Sequence, residues 1–171
     1  QKLLQTQAEK SLIRPGKAYQ LSALKAERSR LTGIARNQGY YTFRPDYVYY
    51  FVDNLPRSKK ADIYLRINEP ESLDRYYIDT PLIYPTYQLD QLEVSNSAAL
   101  DTLTYKDLKI IQTQTYVKPA PLERIITQSA SALYSEKLQD QTINHLLDLG
   151  VFKFVNVKYE EHIRRDTTFL R

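Results

Sequence analysis

The sequence predicts an α+β protein built from two tandem modules, each with two helices packed on a small sheet. Two observations lead there. Along its 171 residues the apolar pattern switches between a helical and an extended period, and one helix-exit pattern occurs twice, as it does in repeats.

Residues 2–13 place Leu3, Leu4, Ala8, Leu12 and Ile13 at loosely helical spacing, and Pro15-Gly16 breaks the pattern. A short first helix is expected there. From Ser22 to Asn37 a stripe of Leu24, Leu31, Ile34 and Ala35 marks a second helix, with Lys25, Glu27, Arg28 and Arg30 mostly assigned to its other faces. Gly39 ends it as a left-handed cap. Tyr47 to Val52 is wholly β-branched or aromatic and stops at Asp53-Asn54-Leu55-Pro56, which reads as a strand and a turn. Asp62 to Ile67 alternates, with Ile63, Leu65 and Ile67 on one face, and gives a second strand.

Glu69-Pro70-Glu71 marks a boundary, so the modules are expected at residues 1–71 and 72–171. In the second, Tyr76 to Ile78 and Leu82 to Tyr84 are strand-like, Gln88 to Thr102 reads as a long loop, and another strand is expected from Leu108 to Thr115. Pro119 and Pro121 suit the first turn of a helix whose apolar side is Leu122, Ile125, Ile126 and Leu133. Ser135 caps the next helix, Gly150 ends it, Val151 to Tyr159 is read as a strand, and Thr167 to Leu170 opens another. With Gln1 in front and no Met anywhere, the sequence reads as a piece of a longer one.

Composition excludes several function classes. The 42% hydrophobic content suffices for a core, and no run of about 18 apolar residues exists to form a membrane-spanning helix. Lys and Arg (24) barely exceed Asp and Glu (20) and are interleaved with them, which argues against nucleic acid. Without Cys there is no thiol nucleophile or thiolate metal site. The two histidines, His145 and His162, share no evident site. The acids Glu160 and Glu161 read as a solvated strand end, and 4 glycines form no phosphate-cradling loop. No enzyme activity, metal or cofactor is expected.

The repeat aligns Gly39 with Gly150, Tyr41 with Phe152, and Phe43 with Phe154. A glycine permits positive φ at a helix exit, and the aromatics after it can lock the helix end on the sheet. The stretch Arg36 to Phe43 resembles the junction between second helix and second strand in POTRA (polypeptide-transport-associated) domains of BamA/TamA-like outer-membrane protein assembly factors. Tyr134-Ser135 with Thr142 to Val157, TINHLLDLGVFKFVNV, resembles the same junction in a following POTRA.

That resemblance covers nearly the whole chain. It implies βααββ modules with a mixed three-stranded sheet, the first module lacking its opening strand and the second carrying an insertion around residues 86–104. It further implies periplasmic modules, continuous with an outer-membrane barrel in a Gram-negative bacterium, that bind unfolded outer-membrane proteins or accessory envelope proteins partly by β-strand addition. A rigid spacer, or a POTRA of a secretion or lipid-remodelling relative, stays open beside it.

The 15 tyrosines, against 5 phenylalanines and no tryptophan, point to a half-wet sheet. If Val48, Tyr50 and Val52 face the helices, then Tyr47, Tyr49 and Phe51 face away and join Tyr64 on an outer aromatic surface. These four are the candidate polypeptide-binding residues.

Overall fold

Helix α1 (Leu21–Arg36) forms because Leu24, Leu31 and Ala35 recur on one side and are buried there. It belongs to the computed structural model of the protein, which describes residues 8–55, 60–68, 73–85, 101–112 and 117–171. The chain divides into two units, Gln1–Arg75 and Tyr76–Arg171.

In the first unit α1 stops in a Schellman closure. Tyr40 N–H donates to Ala35 O at 3.3 Å and Gly39 N–H to Arg36 O at 3.2 Å, with Gly39 at φ +91°. Arg36 Nε then donates to Phe43 O at 2.9 Å, which draws the chain back along the helix. Phe43 is buried with Leu31, Ala35 and Val48, and Ile34, Tyr40, Tyr50, Ile67 and Leu73 pack around them. Strands β1 (Val48–Leu55) and β2 (Lys60–Ile67) pair antiparallel, Val48 opposite Ile67 and Phe51 opposite Tyr64. They are the whole sheet of this unit among the described residues.

The helix expected over residues 2–13 is not found at 8–13, where only a 3-10 turn, Ala8–Lys10, is present; residues 1–7 lie outside the described residues. Of its described apolar members, Ile13 is only half-buried and Leu12 is 52% exposed, and a helix so short needs a packed face. Leu12 N–H instead donates to Glu27 Oε2 at 3.1 Å. Glu27 also departs from the sequence reading, since it lies in the stripe, three residues after Leu24 and four before Leu31, and is only 3% exposed.

In the second unit β3 (Tyr76–Ile78) runs parallel to β8 (Thr167–Leu170), which runs antiparallel to β7 (Glu161–Arg164). This mixed sheet has the order β3-β8-β7, with β8 central. A second sheet pairs β4 (Leu82–Ile83) parallel with β6 (Leu108–Gln112), and β6 antiparallel with β5 (Asp101–Tyr105). Leu108 and Ile110 are buried against Leu122 of α2 (Pro119–Ile125) and Leu146 of α3 (Glu136–Asp148), so the helices cover this sheet. Ser135 caps α3 by accepting Leu138 N–H. Gly150 follows at φ +68°.

Three elements here differ from the sequence reading. Helix α2 ends at Ile125, and Leu133 lies beyond it in a bridge to Tyr77. Asp101–Tyr105 is a hairpin strand whose turn, Lys106-Asp107, reaches positive φ at Lys106 without a glycine or asparagine to announce it. Val151 to Tyr159 forms no ladder. Among the described residues no strand pairs with it. The stretch still alternates, with Val155, Val157 and Tyr159 half-buried, and Tyr159 rests edge-on against Tyr134 at 5.8 Å. The expected loop from Gln88 lies outside the described residues as far as residue 100, as does the end of the strand expected to reach Thr115.

Glu27 makes stability pH-dependent. Burial opposes its charge, but hydrogen bonds from Arg30, Leu12 N–H and Ser11 outweigh burial and hold the carboxyl below its ordinary 4.5. A lowered folded-state value means the contribution is fully present above 4.5 and is lost as pH falls below it. Glu27→Gln should destabilise the first unit at neutral pH by about 1–3 kcal/mol, and the gap to wild type should close in acid; denaturant titrations followed by circular dichroism at the two pH values measure both.

Candidate polypeptide-binding edge

Among the described residues strand β1 is paired on one side only, with β2. Which of its backbone groups face the open side follows from one bond: Asn68 N–H donates to Tyr47 O at 2.8 Å, in the same register as the ladder. Hydrogen-bonded and non-bonded pairs alternate in an antiparallel ladder, so Tyr49, Phe51 and Asp53 exchange bonds with β2. The groups of Val48, Tyr50 and Val52 point the other way. Val48 N–H is taken by Pro45 O, which leaves the N–H groups of Tyr50 and Val52 directed outward from the edge.

The open edge runs beside α1. Between them lies a groove of about 230 Å³, lined on the helix side by Leu21, Leu24, Lys25 and Arg28 with Tyr19 before them. Tyr49, Tyr50 and Val52 line the strand side. That volume receives a side chain or two and falls short of the roughly 300 Å³ at which small-molecule sites begin. Two polar atoms here, Arg28 Nε and Tyr50 Oη, are buried with no hydrogen-bond partner among the described residues. Burial pushes the Tyr50 hydroxyl up to about 12, helped by the Glu27 carboxylate and opposed by Arg28 and Arg30, so it stays protonated.

Three of the four candidate residues come together on the sheet face away from α1. Tyr49 and Phe51 meet edge-on with ring centroids 5.5 Å apart, and Tyr64 stands opposite Phe51. All three are exposed, Phe51 by 59%. Tyr47 is placed elsewhere: it closes a 3-10 turn, Pro45–Tyr47, and sets its ring edge-on to Phe43 at 5.4 Å, half-buried in the core. The strand begins at Val48, one residue later than the alternation predicts, because Pro45 opens a turn that runs through Tyr47.

The aromatics of the repeat are also unequal. Phe43 is buried and Phe152 packs on the second core, Tyr41 is half-buried, and Phe154 is 54% exposed. The groove residues Tyr19, Leu21, Lys25 and Arg28 escaped the sequence reading. Their spacing of three and four beside the Leu24 stripe was the available signal.

Among the described residues no group of three His, Asp or Glu is placed to hold a metal ion, and no helix is long and apolar enough to cross a membrane. His162 Nε2 and Arg164 both stand near Asp79 Oδ2, at 3.1 and 3.0 Å, a charge cluster beside the short strand β7.

No family model and no curated protein matches the sequence. Solved structures do match its fold. Haemophilus influenzae BamA POTRA3-5 superposes at TM-score 0.54 with 12% identity, over 98% of this chain and 56% of that one. BamA from Haemophilus ducreyi lacking POTRA domains 1-3 superposes at 0.58 with 12% identity, over 98% of this chain and 26% of that one. The fold is that of BamA POTRA modules, α+β with small mixed sheets, and the chain spans only part of the length of either structure.

The two faces of the β1 backbone predict opposite outcomes for adjacent prolines. Phe51→Pro removes an N–H from the ladder and should unfold the hairpin, at a cost of about 3 kcal/mol or more. Val52→Pro removes one from the open edge and should leave the melting temperature close to wild type; thermal melts of the two variants decide.

Proposed function

We propose that this chain is part of the periplasmic POTRA array of an outer-membrane β-barrel assembly factor, and that it binds polypeptides by strand addition at β1. The observation that carries the reading is the open edge of β1, with the N–H groups of Tyr50 and Val52 directed outward beside a partly apolar groove. Backbone groups bind any extended segment, and the groove takes its alternate side chains. The fold likeness to BamA POTRA modules supports the setting. Clients are unfolded outer-membrane proteins or accessory envelope proteins, and the parent protein carries its barrel outside this sequence.

Compared with β7, an outer strand of the second unit, β1 suits the role better. It has eight residues, whereas β7 has four and bears Glu161, His162 and Arg164, the kind of charged edge that repels pairing. The aromatic face of Tyr49, Phe51 and Tyr64 adds contact surface next to the edge, and exposed apolar patches of this kind mark interaction sites. Binding and not catalysis is the function, in keeping with the chemistry of the residues present.

An unfolded outer-membrane-protein peptide carrying a photocrosslinker tests this. Wild type should capture it, and folded Val52→Pro should capture it at least about tenfold less, the loss of roughly one net backbone bond with its alignment. Equal capture by two equally folded proteins would transfer the chain to the rigid-spacer reading.

A further inference from the structure

We propose that the groove between α1 and β1 selects strands carrying an Asp or Glu side chain, received by Arg28 with Lys25 and the Tyr50 hydroxyl beside it. The inference rests on strand addition at β1 and adds to it a chemical preference.

A guanidinium cannot shed its proton to escape burial. Arg28 Nε is nevertheless buried without a hydrogen-bond partner among the described residues, and so is Tyr50 Oη across the same groove. Unmade hydrogen bonds at buried donors are costly, and both are relieved by one acceptor. The nearest acid does not serve. Glu27 is engaged by Arg30 through two bonds of 2.8 Å and by Leu12 N–H. Lys25 adds a second cation to the groove, and the first turn of α1 holds no acidic residue to offset it. Charge complementarity with Lys25 and Arg28 therefore favours an anion as the acceptor.

Geometry decides which anion. A strand pairing with the outward groups of Tyr50 and Val52 lays every second side chain on the face where Val48, Tyr50 and Val52 point, towards α1. Its apolar members meet Leu21 and Leu24, and one acidic member meets Arg28. An internal side-chain carboxylate lets the added ladder continue on both sides of the groove, whereas a terminal carboxylate would end it there.

The test uses two fluorescein-labelled peptides of alternating Val and Thr, alike except for Glu or Gln at one central position on the Val face, titrated by anisotropy into the folded chain. The Glu peptide should bind on the order of tenfold tighter at low salt, with the gap narrowing as salt rises. Arg28→Gln should reduce the gap to about twofold, the loss falling chiefly on the Glu peptide. If that variant does not fold, Tyr50→Phe replaces it, with a smaller narrowing expected. Equal affinity of the two peptides overturns the inference and leaves strand addition standing, while failure of both to bind overturns the two together. A gap undiminished in a folded variant overturns the assignment to this groove.

Discussion

One parity governs the first unit. The register that sets Val48 opposite Ile67 makes Val48, Tyr50 and Val52 face two ways at once. Their side chains turn to α1, where Val48 is fully buried, and their backbone groups turn to the open edge. A slip of one residue would expose Val48, bury Phe51, and direct the groups of Tyr49 and Phe51 outward instead. Core packing thus dictates which N–H groups a partner can reach. The junction before the strand keeps this phase, since the Gly39 closure and the Arg36 bond to Phe43 O fix where the strand starts relative to the helix.

What the sequence made legible follows the same division between local and non-local causes. Helix α1, its glycine exit, β1, β2 and the Ser135 cap rest on short-range patterns, and each was readable within about ten residues. The misses needed a partner elsewhere in the chain. Glu27 is buried because Arg30 and a distant N–H, that of Leu12, neutralise it. Val151 to Tyr159 has the alternation of a strand but no partner strand among the described residues. Asp101–Tyr105 became a strand through β6, across a turn that lacks the usual turn residues.

The candidate site was legible only by half. The outer aromatics Tyr49, Phe51 and Tyr64 follow from period-two reasoning and do share a face. Tyr47 does not, because a 3-10 turn precedes the strand. The groove needed both elements at once. Lys25 and Arg28 are ordinary flank residues of an amphipathic helix until β1 is laid beside them, and no one-dimensional pattern reports that a guanidinium nitrogen is buried without a partner among the described residues.

In the strand-addition reading proposed above, the edge and the groove act as one device with two kinds of discrimination. Backbone pairing is indifferent to sequence, which suits a module that handles many clients, yet indifference alone would also admit stray edges and invite aggregation. Natural sheets limit this with charge, as Glu161, His162 and Arg164 do on β7. On β1 the charge stands on the helix beside the edge, at Lys25 and Arg28, so it does not close the edge. It filters what pairs there. A wholly apolar strand could still form the ladder, but it would forgo the bonds that an acidic strand makes to Arg28 Nε and Tyr50 Oη and would bind more weakly by that difference.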